Sequence, residues 1–272
     1  ARDRLRREIL EVASRSDLLA ITHYHYDHYT PGFVDTTWIG STVEIAEQLY
    51  QDKEILVKDF KNMVNPSQRR RGWLANRFIS KLANKVEPAD ARSWGFGATN
   101  ISFSDPVPHG EEGGGLGWVL MVKISHGSES VLYTSDVQGP MGYATLRAIL
   151  GLRPEKVVIG GPPLYLKNFS ITESALSNAL KNLVELSKTV QTLIVDHHLL
   201  RSIEWREFLQ PAYHEAQLSG HQVLTGAEFL GIPNDLLESR RRELYELYPP
   251  PQEFLKWVRL PKEKRRKTPP PL

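Results

Sequence analysis

Six consecutive residues, His23-Tyr24-His25-Tyr26-Asp27-His28, place three imidazoles and a carboxylate in one short segment. They follow the apolar run Leu18-Leu19-Ala20-Ile21, which reads as a buried strand. In extended backbone alternate side chains share a face, so His23 and His25 can bind one metal ion. A bend at Tyr26 turns Asp27 and His28 toward a neighbouring position, where a second ion can sit. Two such ions polarise a substrate oxygen and generate hydroxide between them. The alternative is an exposed polar loop of satisfied histidines, but packing has no use for so dense a cluster. None of the 272 residues is a cysteine, which removes disulfides, thiolate metal sites and cysteine nucleophiles together. Any metal must be held by His, Asp and Glu.

Further candidate ligands recur in order along the chain. His109 stands in Pro108-His109-Gly110 after a predicted strand at 100–104. Asp136 closes Tyr133-Thr134-Ser135-Asp136, and Asp196-His197-His198 follows a buried strand at 191–195. On these residues the sequence resembles the metallo-β-lactamase superfamily. Through His-Tyr-His-Tyr-Asp-His-Tyr-Thr-Pro and Asp-His-His-Leu-Leu-Arg it looks most like an archaeal family of predicted metal-dependent hydrolases, from Ser16 to about Tyr245.

The resemblance implies a four-layer αββα sandwich with mixed sheets and two divalent ions, usually zinc. An all-His/Asp donor set also accepts iron or manganese. Carried over residue by residue, His23, His25 and His109 hold one ion, Asp27, His28 and His197 hold the other, and Asp136 is shared. His197 and His198 compete for the last role. His197 is preferred because it follows its strand across a one-residue link, as His23 follows Ile21-Thr22. His198 then becomes a hydrogen-bonding neighbour or proton shuttle. Superfamily members place several strands before the first histidine motif, whereas only 22 residues precede it here, so an N-terminally incomplete copy lacking strands is expected.

The chemistry expected is metal-dependent hydrolysis of an ester, lactone or phosphodiester, with Asp27 accepting the nucleophile's proton and the ions stabilising developing charge. A nuclease of the same superfamily acting on RNA or DNA is the runner-up, although the RNA-clamping domain of larger members has no counterpart. A di-iron redox protein is a third reading, for which there is no room for the usual flavin domain. A metal-binding scaffold without turnover is the fourth.

Charge layout bears on partners. The formal net charge is +2, but 58–85 carries +7 and 256–267 carries +6, leaving −11 elsewhere. Arg69, Arg70 and Arg71 read equally well as a solvated helix face or as an anion clamp. A small anionic or ester substrate is expected, with nucleic acid the second possibility. No apolar run approaches the ~18 residues of a membrane span and no signal core follows the N-terminus, so no membrane partner and a cytoplasmic location are expected. His126, His214 and His221 read as turn, structural or exposed residues, and Gly113-Gly114-Gly115 as a flexible loop.

The elements that must position these groups follow from periodicity and capping. Helices are predicted at 2–15, 41–50 with Ser41 as cap, 68–84, 172–186 with Thr172 as cap, 202–218 and 234–247. Strands are predicted at 18–21, 100–104, 156–159 and 191–195, with a hairpin of 117–125 and 130–135 around Gly127-Ser128. Strands alternating with helices, interrupted by a hairpin, suit a mixed α/β sheet. Residues 1–248 read as one domain and 249–272 as a loosely packed, Pro-rich basic tail.

Overall fold

The computed structural model describes residues 2–35, 38–268 and 270–271; Ala1, Thr36, Thr37, Pro269 and Leu272 lie outside them. The chain divides into two compact units, one made of Ala1–Ala89 with Tyr245–Leu272, the other of Asp90–Leu244. Both are mixtures of helices and strands.

In the first unit α1 (Arg2–Ser14), β1 (Leu18–Ile21), α2 (Val43–Tyr50), β2 (Glu54–Val57), α3 (Pro66–Ile79) and β3 (Lys85–Pro88) follow in order. The three strands form a parallel sheet ordered β1-β2-β3. Strand β1 spans the predicted residues, whereas β2 and β3 were not foreseen. Glu54-Ile55-Leu56-Val57 is a short apolar run of the kind that builds buried parallel strands, and Ile55, Leu56 and Val57 are all buried. Helix α2 is capped by Thr42, whose side chain accepts the Ile45 amide at 3.3 Å. The expected cap, Ser41, instead donates to the Phe33 carbonyl at 2.9 Å. Helix α3 begins earlier than predicted: Asn65 accepts the Gln68 amide at 2.7 Å, and Pro66 supplies a first helical residue that needs no amide partner.

The second unit carries β4 (Ser93–Phe96), β5 (Thr99–Phe103), β6 (Val107–Pro108), β7 (Trp118–Val119), β8 (Val122–His126), β9 (Glu129–Tyr133), α4 (Tyr143–Gly151), β10 (Lys156–Gly160), α5 (Glu173–Thr189), β11 (Thr192–Asp196), α6 (Trp205–Ser219), β12 (Gln222–Thr225) and α7 (Gly226–Phe229). Its main sheet is seven-stranded and mixed, ordered β12-β11-β10-β9-β8-β5-β4. Strands β9 to β12 run parallel, while the pairs from β9 to β4 are antiparallel. The predicted hairpin forms, but its first arm starts at Val122: Trp118–Val119 pairs with β6 instead, and Leu120 and Met121 are fully buried between the two pieces. Leu132, Val157, Ile159, Leu193 and Val195 from the strands pack with Leu183 and Leu186 of α5 and Leu209 of α6 in the unit's core. Thr172 caps α5 as expected, accepting the Ala175 amide at 3.1 Å.

Helix α8 (Arg241–Leu247) is shorter than the predicted 234–247, since the segment before it is irregular. The Pro-rich C-terminal stretch folds into α9 (Gln252–Val258) and α10 (Lys262–Lys267) instead of remaining loose. Trp257 is buried there, and its indole N–H donates to the Thr268 carbonyl at 2.8 Å. Among the described residues no helix is long and apolar enough to cross a membrane.

Gly72 shows how closely α3 lies on the histidine segment. A Cβ there would overlap the Tyr24 ring and the Phe60 Cβ, whereas one at Gly95 would meet nothing within 4 Å. Gly72→Ala should therefore destabilise the protein by about 1–3 kcal/mol, and Gly95→Ala by less than about 0.5 kcal/mol, in denaturant unfolding.

Candidate metal centre

Tyrosines hold the histidine segment of the first unit in place. Tyr24 is fully buried; its hydroxyl donates to the Lys58 carbonyl at 2.5 Å and accepts from Asn76 Nδ2 at 2.9 Å. At the far end of the segment the Tyr50 hydroxyl accepts the Thr30 amide at 3.1 Å and donates to the Thr30 carbonyl at 2.9 Å. Burial pushes the Tyr50 phenol above its ordinary pKa, so it stays protonated and keeps that bond throughout the physiological range. Arg6 adds a bond to Thr30 Oγ1 at 2.9 Å. Between these anchors the His23 ring centroid lies 4.9 Å from that of His25 and 4.4 Å from that of His28. His23 is buried, His25 and His28 are half-buried and Asp27 is exposed, with its Oδ2 3.8 Å from His28 Nε2. Three imidazoles thus crowd together on a loop fixed at both ends, as the sequence suggested.

Of the three arginines, Arg71 places its guanidinium 5.3 Å from the centroid of the Tyr26 ring, inside the motif, while Arg69 and Arg70 are exposed. Only one of the three therefore reaches the histidine segment directly, which neither reading of the arginine run singled out.

In the second unit the organising group is Asp136, three residues beyond β9 and 2% exposed. Its Oδ2 lies 2.8 Å from His109 Nε2, 3.3 Å from His198 Nε2 and 3.9 Å from His197 Nε2. His109 follows β6 directly, and His197 follows β11 directly. Ligating atoms of Asp136, His197 and His198 all lie within 4.8 Å of one another. Backbone at the site is unusual: Ser135 has φ 58°, Gln138 φ 52° and His197 φ 61°, a left-handed conformation that costs non-glycine residues free energy and gathers at functional sites.

The donor chemistry fits a cation. Gln138 Nε2 lies 3.3 Å from His198 Nε2, so with the amide in this orientation that ring nitrogen is the acceptor. The same nitrogen faces the Asp136 carboxylate oxygen, a second acceptor, at 3.3 Å. Two lone-pair groups facing each other in a buried site call for a proton or a metal ion, and neighbouring imidazoles add soft-to-borderline donors suited to a divalent ion. The other nitrogen of His198 is also engaged: Nδ1 lies 2.8 Å from the Tyr165 hydroxyl, which accepts from Arg201 Nη1 at 3.3 Å. Gln138 and Tyr165 escaped the sequence reading, since neither lies in a histidine or aspartate motif. His126 is exposed at the end of β8, with a ring nitrogen 2.8 Å from Thr99 Oγ1, and a ring nitrogen of His221 lies 3.1 Å from the Ser187 carbonyl oxygen. The Gly113 to Gly115 stretch forms a turn closed by the Gly114 amide on the Glu111 carbonyl at 3.0 Å.

A mixed α/β fold whose strand ends present His and Asp donors defines a protein with a candidate divalent-metal centre. The chain belongs to the UPF0282 protein family. It is 40% identical over 243 residues to the member from Korarchaeum cryptofilum, covering 89% of this chain and 77% of that one. The Metallosphaera sedula member is 40% identical, covering 89% and 75% respectively, and the Methanopyrus kandleri member 39%, covering 90% and 82%. These relatives are archaeal, as the resemblance implied. No protein-family model matches the sequence. Among solved structures, the Bacillus subtilis metallo-β-lactamase fold protein YhfI aligns at 15% identity and TM-score 0.42, over 79% of this chain and 76% of its own. Tm1679, a metal-dependent hydrolase of the β-lactamase superfamily, aligns at 12% and 0.43, over 76% and 75%. CmlA, a diiron β-hydroxylase from Streptomyces venezuelae, aligns at 16% and 0.46, over 77% and 43%.

The two adjacent histidines can be separated experimentally. With His197 as the ligand, His197→Ala should lower zinc content by elemental analysis, and His198→Ala should retain the metal. The reverse pattern would show that His198 is the ligand.

Proposed function

We propose that the protein is a metal-dependent hydrolase acting on an ester, lactone or phosphodiester. The observation that carries this reading is the buried Asp136 carboxylate oxygen on which three imidazole Nε2 atoms converge. His109, Asp136 and His197 of the second unit, and His23, His25, Asp27 and His28 of the first, are the groups that would hold two divalent ions. When bound, such ions supply Lewis acidity toward a substrate oxygen and lower the pKa of a water molecule.

The chain's own residues then divide the remaining work. Asp27, the exposed carboxylate of the motif, accepts the proton released from the attacking water. His198 is held by Tyr165 on one side and by Gln138 on the other, an arrangement that fixes the orientation of its ring and suits it to relay a proton. Arg71, whose guanidinium lies over the Tyr26 ring, brings positive charge to the motif and is suited to an anionic substrate group.

A nuclease is the second reading, favoured by the exposed guanidinium groups of Arg69 and Arg70 on α3. The −11 charge outside the basic stretches opposes a long polyanion everywhere else, so a small substrate is preferred.

Profiling of the purified protein against p-nitrophenyl esters, lactones, phosphodiesters and RNA tests the class of reaction. Turnover should be abolished by chelation and restored by zinc, manganese or iron, and Asp27→Asn should lower kcat by about 10²–10⁴-fold. Hydrolysis that survives complete metal removal would refute the proposal. The Arg69→Ala, Arg70→Ala, Arg71→Ala triple variant separates the two substrate classes. For a small anion, KM should rise at constant metal content. For a nucleic acid, binding should weaken across all sequences and the slope of log affinity against log salt should flatten by about three.

A further inference from the structure

The second unit contains a cavity of ≈ 680 Å³ that the histidine and aspartate cluster does not account for. Its walls come from the segment Leu164–Leu166, from α5, and from the turn before α6 together with the first half of that helix. Leu176, Leu180, Ile203 and Phe208 give it an apolar lining. Three polar groups stand out at one side. Arg201 lines the cavity, and among the described residues its guanidinium meets no carboxylate and bonds the Tyr165 hydroxyl. Tyr165 in turn touches His198 at 2.8 Å, so this side of the cavity adjoins the Asp136 cluster. Ser202 is 5% exposed and lines the same cavity, and its Oγ has no hydrogen-bond partner among the described residues. A buried hydroxyl without a partner is costly, and a ligand oxygen would satisfy it.

We propose that this cavity binds an amphipathic monoanion, a carboxylate with an alkyl or aryl body, as a non-reacting part of the substrate. Arg201, Ser202 and the Tyr165 hydroxyl take its oxygen end, and Leu176, Leu180 and Phe208 cover its apolar body. The volume matches that of sites for ligands of this size, which are mostly apolar with a few convergent polar groups. The acidic groups around the cavity limit the ligand's charge to one. Glu173 is neutralised by Lys167 at 2.9 Å, but Glu204 and Glu207, exposed at the start of α6, disfavour a polyanion such as a nucleic acid. The assignment rests on the hydrolase reading only in naming the occupant a substrate.

Calorimetric titration of the full chain with octanoate, 1-octanol and octylamine tests it directly. Octanoate should bind at least tenfold more tightly than either of the others. Arg201→Ala should remove that preference, and Ser202→Ala should weaken octanoate severalfold while leaving 1-octanol unchanged. Unchanged thermal unfolding midpoints exclude misfolding of these two variants. Octylamine binding as tightly as octanoate, or octanoate affinity unchanged in Arg201→Ala, would overturn the proposal. Octanoate binding by an unmodified, metal-supplemented protein that hydrolyses none of the profiled substrates would refute the hydrolase reading and leave the cavity assignment standing. Metal-dependent turnover combined with octanoate binding indifferent to Arg201 would refute the cavity assignment alone.

Discussion

A carboxylate buried at a strand end is the constraint around which the second unit is arranged. Asp136 is almost fully removed from solvent, and an ionised carboxylate there is tolerated only if positive charge or donors surround it. The chain meets that demand from two separate strand ends, with His109 after β6 and His197 and His198 after β11. The backbone accepts left-handed geometry at Ser135, Gln138 and His197 to deliver these groups. Conformational cost of this kind is sustained because the core beneath, from Leu132 through Val195 to Leu209, over-determines where the strands end.

The first unit solves the complementary problem of keeping imidazoles crowded on a loop. Its means are the residues between and after the histidines. Tyr24 turns into the core and is tied to Lys58 and Asn76, while Thr30 is clamped by Tyr50 and Arg6. The aromatic residues of the motif are therefore the parts that fix its shape, and the histidines are the parts left to act. Gly72 belongs to the same device, because only a residue without a Cβ lets α3 approach Tyr24.

Much of this was legible from residue order. Strand β1 and the cap at Thr172 were read correctly because a short apolar run bounded by polar residues, and a Thr-Glu pair before a 3.6-residue period, each have one local solution. The histidine motif was legible for a similar reason, as no packing role explains it. Strands β2, β3, β4 and β12 were not seen: each is four residues long, and at that length tertiary pairing decides the conformation more than pattern does. The helix placed at 234–247 kept only its end, since the irregular stretch before α8 is set by bonds such as that between Asn234 and Glu228. At the site, Gln138 and Tyr165 were invisible because their importance lies in contacts made 60 and 33 residues away along the chain. Arg201 stood in a recognised motif, but no spacing rule connects it to Tyr165 or to a cavity.

Zinc binding at equilibrium, measured by dialysis and elemental analysis on the unmodified protein beside Asp136→Asn, tests the central claim most directly. The account predicts up to two ions per chain in the unmodified protein and a clear loss in Asp136→Asn, which keeps the shape of the side chain and removes its charge. A folded protein that retains no zinc, iron or manganese, or an Asp136→Asn variant that holds as much metal as its parent, would contradict it.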